Sequence, residues 1–256
     1  MFAIFKKELR GYFLNPVGYV YTGVFLAAAA LICTMTTLHQ ASYATSSYFQ
    51  YLIFTFIILI PLLTMRSFSE ERKTRTEQLL LTAPVSITGM VLGKYFAALT
   101  LFVSTILLSC INFFPLLSYA IVEQSQASDQ TIHIGPVGGQ IVGCLIGVIL
   151  IGAAFIAVGV FISSLTENQL SAAVVTIGVI AGMILLNLFN LLSDSDGQPL
   201  IASYAIRAVI DWISVLSRFS NFSNGIFDYA ALLYYVSLSF VFLFLTVRVY
   251  EKRRWG

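Results

Sequence analysis

The apolar sequence YLIFTFIILIPLLTM, residues 51–65, continues directly into the charged sequence RSFSEERKTRTEQLLLTAP, residues 66–84. A second long apolar run follows from Tyr95. A helix that crosses a bilayer needs about 20 mostly apolar residues, and charged side chains are costly inside the bilayer. The pattern therefore predicts two membrane-spanning helices joined by a polar connection.

The composition of the whole chain agrees with a membrane location. Of its 256 residues, 58% are hydrophobic and 10% are charged, and the mean hydropathy is +0.88. A soluble domain of ordinary composition has about 25% charged residues. So few polar side chains cannot cover a water-exposed globule, which excludes an ordinary soluble enzyme or binding domain. We predict an integral membrane protein in which residues 1–256 form a single membrane domain.

Six stretches of the sequence are apolar and long enough to form membrane-spanning helices. None of the six contains a charged residue. Because each span must satisfy its own backbone hydrogen bonds in lipid, the predicted fold is all-α. The predicted spans are residues 17–38, 48–65, 95–119, 137–163, 170–192 and 229–247.

Lysine and arginine residues are concentrated in three places along the chain. Twelve of the 14 lie in the N-terminal segment, between the second and third predicted spans, or in the C-terminal tail. Cytoplasmic flanks of membrane helices hold the excess of basic residues, which predicts that both termini and residues 66–94 are cytoplasmic. The overall net charge of +2 gives no indication of nucleic acid binding. The twelve are Lys6, Lys7, Arg10, Arg66, Arg72, Lys73, Arg75, Lys94, Arg248, Lys252, Arg253 and Arg254.

Two amphipathic segments outside the six spans are predicted to be surface helices. In MFAIFKKELRGYF, residues 1–13, the apolar side chains share one helical face, which is typical of a helix lying in the membrane interface. Asn15 and Pro16 then end this helix and redirect the chain. The sequence SYAIRAVIDWISVLSRF, residues 203–219, also has helical periodicity, and it predicts a short extracytoplasmic helix between spans five and six.

The fourth predicted span contains an unusual number of glycines. Small residues at intervals of about four let two helix backbones approach closely, because packing replaces the hydrophobic drive that lipid cannot supply. The pattern indicates close packing of this span, either within the chain or against another subunit. The glycines are Gly139, Gly143, Gly147, Gly152 and Gly159.

Sequence motifs for common chemistry are missing. The chain has no GxxxxGK[ST] phosphate-binding loop and no HExxH metal motif. Its predicted spans also lack the acidic or basic residues on which proton-coupled and ion-coupled transporters usually depend. We therefore expect no catalytic residue, metal site or cofactor in this chain.

The charged connection that follows the second span is the remaining concentrated feature. Thr76 is suited to capping a helix, Glu77 would favour the positive end of its dipole, and Pro84 would stop it. Leu79 and Leu80 would give that helix an apolar side. The segment is either a solvated basic loop or a short cytoplasmic helix that contacts a soluble partner.

Three stretches of the chain resemble the ABC type-2 exporter permeases. They are RSFSEERKTRTEQLLLTAPVSITGMVLGKYFAAL, residues 66–99; SSLTENQLSAA, residues 163–173; and SRFSNFSNGIFDYAALLYYVSLSFVFLFLTVRVYEKRRW, residues 217–255. The first is similar to the segment between spans two and three of that family. The last is particularly similar to the gliding-motility type of permease. With the N-terminal interfacial helix and six spans, the resemblance covers essentially the whole chain.

The resemblance implies a coupling helix that docks into a separate ATPase subunit. Two ATPases, which would bind ATP and Mg²⁺, would act with two permease subunits, the second being a copy or a paralogue of this chain. The location implied is the bacterial inner membrane. The residues implied in the main contact are Glu70, Glu71, Arg72, Thr76, Glu77, Gln78, Leu79 and Leu80, and those in a smaller second contact are Ser164, Leu165, Thr166, Glu167, Asn168 and Gln169.

Two functions follow from this resemblance. The first is that of the permease subunit of an ATP-driven exporter. The second, suggested by the gliding-type ending, is force transmission or assembly without movement of a solute, in which a membrane-anchored protein with a large external domain is a further partner. Both functions need the same coupling helix and the same spans.

Overall fold

The computed structural model describes residues 1–39, 43, 45–78, 86–126, 135–191 and 214–255. This part of the chain is helical and contains no β-strand. Six of its helices are long and apolar enough to cross a membrane, as the sequence predicts. The predicted extracytoplasmic helix, residues 203–219, lies largely outside the described residues.

The N-terminal helix and the first span are separated at the predicted position. Helix α1 is Phe2–Leu14, and α2 is Pro16–Cys33. Asn15 between them has an extended backbone, and Pro16 takes the first helical position. The backbone N–H at that position would have no partner within the helix, so proline can stand there without losing a hydrogen bond. A π-helical turn, Thr34–Leu38, continues α2.

Eight further helices complete the described fold. Five of them correspond to the predicted spans two to six, and the other three are shorter helices that connect or continue these five. In chain order they are α3 (Thr45–Thr64), α4 (Ser69–Lys73), α5 (Ile87–Ser109), α6 (Phe113–Gln126), α7 (Gly138–Leu165), α8 (Gln169–Leu191), α9 (Phe219–Ser223) and α10 (Tyr229–Trp255).

Helix α7 forms the centre of the bundle, where it contacts α3, α5, α8, α9 and α10. Its glycines explain how so many helices reach it. A Cβ atom at Gly152 would lie 2.0 Å from the Phe102 ring, and one at Gly159 would lie 2.2 Å from Thr64 Oγ1. Cβ atoms at Gly143 and Gly147 would each lie 2.9 Å from an atom of α9, so close packing within the chain is confirmed for these four. A Cβ atom at Gly139 would meet no atom of this chain within 4 Å, so contact with another subunit at that position stays a prediction.

The third span begins earlier than the sequence predicts. Helix α5 starts at Ile87, after Ser86 has capped it by accepting a hydrogen bond from the Gly89 N–H at 3.3 Å, rather than at residue 95. Lys94 therefore lies on a span-length helix, one position before the predicted start of the third span. The helix includes this charge because Lys94 is paired inside the protein. Helix α10 likewise continues beyond the predicted end at residue 247, through the basic tail to Trp255.

The third span is also interrupted near its far end. A 3-10 turn, Cys110–Asn112, separates α5 from α6, and Pro115 lies in the first turn of α6. Proline cannot donate a backbone hydrogen bond to the preceding turn, so a change of helical geometry just before it is expected. Pro61 lies inside α3, which continues past it to Thr64.

Candidate functional site at the charged end of the bundle

Six segments of the chain meet at one end of the helix bundle and carry most of the ion pairs found among the described residues. They are α1, the turn and helix after α3, the start of α5, the end of α7, the connection to α8, and the end of α10. We call the paired side chains at this end the ionic cluster. Its members are Glu8, Glu71, Arg72, Glu77, Lys94, Glu167 and Arg253.

Lys94 is the buried centre of the ionic cluster, with 3% of its surface exposed. Its ammonium group lies 3.0 Å from Glu8 Oε1 and 2.8 Å from Glu71 Oε1, and it donates a hydrogen bond to the Ser67 carbonyl oxygen at 2.7 Å. It also lies 5.0 Å from the centre of the Phe68 ring. A buried ammonium group is tolerated only when it is paired and hydrogen-bonded. Lys94 therefore ties α5 to α1 and to the segment that follows α3.

Arg72 joins the same segment to the end of α7. Its guanidinium donates hydrogen bonds to the Leu165 carbonyl oxygen at 3.0 Å and to Glu167 Oε1 at 2.7 Å. Its Nε atom lies 3.6 Å from Glu77 Oε2. Glu167 is largely exposed, so this ion pair contributes less than about 1 kcal/mol by itself. These three partners together hold the side chain of Arg72, a residue of α4, against the α7–α8 connection.

Arg253, near the end of α10, completes the ionic cluster. It donates hydrogen bonds to Glu77 Oε1 at 3.1 Å and to the Ser164 carbonyl oxygen at 2.7 Å. Its guanidinium lies over the Tyr250 ring, and that ring packs on Phe68 with centroids 4.8 Å apart. Glu77 is thus held from two sides, and the last span is connected directly to the segment that follows α3.

Backbone contacts at the end of α3 reinforce these ion pairs. The Ser163 hydroxyl accepts hydrogen bonds from the backbone N–H groups of Phe68 at 3.1 Å and Ser69 at 3.3 Å. The same oxygen lies 3.3 Å from the Met65 carbonyl oxygen, to which the hydroxyl donates. Since these atoms are buried against α7, they would carry a large desolvation cost if they were left unpaired. Ser163 therefore fixes the point at which the chain leaves the second span.

A small polar cleft separates α1 from the start of the charged segment. It has a volume of about 80 Å³, and Glu8, Tyr12, Arg66 and Glu70 are among the residues that line it. The Arg66 guanidinium binds both oxygens of Glu70, at 2.8 and 2.9 Å. Burial raises the pKa of the Tyr12 phenol, which keeps its proton and donates it to the Leu63 carbonyl oxygen at 3.4 Å. Helix α1 is therefore fixed to the end of α3 as well as to α5.

The charged segment contains α4, which the sequence did not predict, in addition to a helical piece that begins next to the predicted cap, Thr76. Helix α4 ends at Lys73, and Arg75 has a φ of 57°, in the left-handed region in which many helices end. The backbone becomes helical again at Glu77 and Gln78, the last described residues before residue 86. The local reason is that Thr74 and Arg75 close a turn on α4, through N–H donation to the carbonyl oxygens of Glu70 and Arg72.

The residues predicted for ATPase contact are divided by this geometry. Glu71, Arg72 and Glu77 point into the ionic cluster, and the Glu77 side chain is only 15% exposed. Glu70 is 42% exposed at its side chain, and Thr76 and Gln78 are exposed. Leu79 and Leu80 lie outside the described residues.

The predicted second contact lies beside the first. Ser164 is buried at the end of α7, whereas Leu165 and Glu167 are exposed and adjoin Arg72. Asn168 is exposed, and its side-chain oxygen accepts a hydrogen bond from the Leu170 N–H at the start of α8. Thr166 and Gln169, the other two residues of this stretch, are half-buried. The structure thus brings the two predicted contact regions together through Arg72.

Several residues of the ionic cluster were not identified from the sequence. Glu8, Lys94, Ser163 and Arg253 are absent from the predicted contacts, although they position the residues that are in them. For Lys94, the sequence does offer a signal: it is a single lysine within a long apolar stretch, which indicates a paired, buried charge. No local pattern indicates its partner Glu8, which lies 86 positions away in the sequence.

The arrangement is suited to transmitting movement, because each charged side chain joins two or more helices. Among the described residues there is no group of three or more His, Cys, Asp or Glu side chains that could hold a metal ion. The three cysteines, Cys33, Cys110 and Cys144, are free thiols in the structure.

The ionic cluster and Ser163 connect the 66–78 segment to α1, α5, α7 and α10. Because of these connections, a displacement of the segment would be passed to those helices.

The family model described as ABC-2 family transporter protein matches residues 32–250, which include four of the six segments of the charged end but not α1 or Arg253. No curated protein matches the chain.

Proposed function

Because the chain belongs to the ABC-2 family of transporter proteins, we propose that it is the permease subunit of an ATP-binding cassette exporter. Members of this family are normally membrane components without a catalytic site of their own, and they generally act with a separate ABC ATPase. With its six apolar helices, this chain is a multi-pass membrane protein. ATP and Mg²⁺ would be bound by the partner ATPase, and this chain would couple hydrolysis to export.

One observation carries the proposal: the 66–78 segment is bonded directly to three helices and, through Lys94, to a fourth. Lys94, Arg72 and Arg253 connect it to α5, α7 and α10, and Glu8 extends the connection to α1. A partner can shift the conformational equilibrium of the spans only if it contacts the two states differently. A surface segment tied to this many spans is a suitable place for such a partner to act.

The proposed docking surface is the exposed side of this region. Glu70, Thr76 and Gln78 supply the first part, and Leu165 and Glu167 supply the second. Glu71, Arg72 and Glu77 would not contact the partner directly; they would connect the docking surface to the spans through their ion pairs. Leu79 and Leu80 remain part of the proposed contact because of their family resemblance.

The finer features of the proposal follow from the basic residues and from the family resemblance. The charged end would face the bacterial cytoplasm, with α1 lying in the membrane interface. A second permease, either a copy or a paralogue, would complete the transporter. In the gliding-type alternative the same contacts would transmit force to a membrane-anchored protein with a large external domain. ATP-dependent accumulation of a solute in inside-out vesicles would distinguish export from that alternative.

The association itself is tested by purification of the full chain from its native membrane. We expect an ABC ATPase to purify with it in equal amounts. Thr76→Arg combined with Gln78→Arg should reduce the bound ATPase at least tenfold, whereas Ser220→Arg, an exposed change at the opposite end of the bundle, should leave it bound. Absence of an ATPase from the purified wild-type complex would refute the proposal.

Transmission through the ionic cluster is tested separately from docking. Arg253→Ala removes the connection between α10 and Glu77 without touching the exposed docking residues. The ATPase should remain bound, while its stimulation by the reconstituted permease falls severalfold. The matched control is Arg254→Ala, which removes the neighbouring exposed charge and should retain stimulation. Full stimulation in Arg253→Ala would show that the link to α10 is not used.

A further inference from the structure

A groove lies between the start of α5 and the end of α10 on the outer surface of the helix bundle. It has a volume of about 240 Å³. Most of its lining is apolar, with Leu92 contributed by α5 and Leu243 and Phe244 by α10. The groove is open to the outside, and Phe244 is 46% exposed. Both helices are long and apolar enough to cross a membrane, so a groove on their outer side would be exposed to lipid.

Polar groups are confined to one end of this groove. Thr88, Arg248 and Glu251 line that end, and apolar side chains line the remainder. The Arg248 guanidinium lies 4.9 Å from the centre of the Phe244 ring and 2.7 Å from Glu251 Oε2. The groove therefore changes from apolar to polar along its length, as a bilayer leaflet changes from acyl chains to headgroups.

The apolar part of the groove is short enough to lie within one leaflet. Along α10 it extends from Phe240 to Val247, which at 1.5 Å per residue is about 10 Å, and Arg248 and Glu251 follow at the polar end. Half of a typical hydrocarbon core is about 15 Å. With the apolar part at acyl-chain depth, Arg248 would lie near the level of the phosphate groups.

We propose that this groove binds one phospholipid of the surrounding leaflet, with an acyl chain between α5 and α10 and the phosphate group on Arg248. Guanidinium groups bind phosphate oxygens through two parallel hydrogen bonds. A diacylglycerol has no phosphate group and cannot form them. The existing pair with Glu251 is exposed and weak, so Arg248 can turn toward the phosphate at little cost.

The lining favours a lipid chain over a helix of a second subunit. Closely packed membrane helices meet through small residues such as glycine and alanine. On α10, however, the groove is lined by Phe240, Leu243, Phe244 and Val247. A helix is about 10 Å across with its side chains, whereas a flexible acyl chain can fit between bulky side chains such as these.

The proposal is tested by native mass spectrometry of the delipidated full-length chain in detergent. A phospholipid and a diacylglycerol with the same acyl chains are titrated separately. We expect one phospholipid to bind before any others, and Arg248→Ala to weaken that binding roughly tenfold, the loss expected for a hydrogen-bonded charged group. Arg254→Ala should bind as the wild type does. Leu92→Trp, which fills the groove, should abolish the first binding step.

Three results would overturn the proposal. They are equal binding of diacylglycerol and phospholipid, unchanged phospholipid binding in Arg248→Ala, and a reduced fraction of dimer in Leu92→Trp, which would identify the groove as a subunit interface. Arg248 is exposed, so its replacement should not disturb folding. The Arg248→Ala result therefore decides the matter even if Leu92→Trp does not fold.

Discussion

At the scale of single residues, Lys94 has the largest expected effect on stability. Its ammonium group is buried between Glu8 and Glu71, and no other basic side chain is described within ion-pair distance of these two carboxylates. Removing one partner of a buried ion pair costs about 3–5 kcal/mol, because the remaining charges stay buried without compensation. Lys94→Met should therefore lower the thermal unfolding temperature of the purified chain markedly.

Two variants separate this effect from a general loss of positive charge. Lys252→Met removes an exposed lysine from the end of α10 and should leave the unfolding temperature unchanged. The triple variant Lys94→Met, Glu8→Gln, Glu71→Gln removes the orphaned charges and should recover part of the lost stability. If Lys94→Met and Lys252→Met unfold at the same temperature, the buried ion pairs do not stabilise this end of the bundle.

At the scale of helices, the glycines of α7 provide a comparison within one element. Gly159→Ala would place a methyl group 2.2 Å from Thr64 Oγ1, so α3 and α7 would have to separate. Overpacking of this kind typically costs about 1–3 kcal/mol. Gly139→Ala lies on the same helix but has open space, and its effect should stay within about 1 kcal/mol because alanine is the better helix former.

Thermal unfolding of the two alanine variants in detergent measures this difference directly. The expected order is Gly159→Ala least stable, followed by the wild type and Gly139→Ala at similar temperatures. A Gly159→Ala protein as stable as Gly139→Ala would mean that the α3–α7 contact can relax without cost. It would then be difficult to maintain that close backbone approach organises the centre of the bundle.

At the scale of the whole molecule, the sequence was sufficient for the six helices and their approximate ends. Apolar length alone determines these features in lipid, and Pro16 determines where α2 begins. The start of α5 was missed because a rule that excludes charge from spans places Lys94 outside. The ionic cluster was missed because Glu8, Lys94 and Arg253 come from distant parts of the chain, and no local periodicity relates them.

The orientation of the whole molecule yields the last prediction. Thr76 and Ser220 are exposed at opposite ends of the bundle. Since basic residues accumulate on the cytoplasmic side, Thr76 should face the cytoplasm. Single-cysteine variants Thr76→Cys and Ser220→Cys are made with Cys33, Cys110 and Cys144 replaced by alanine. In intact spheroplasts, a membrane-impermeant maleimide should label only Ser220→Cys, and Thr76→Cys should react only after permeabilisation. The reverse labelling pattern would place the charged end outside, where no ATP-driven partner could reach it.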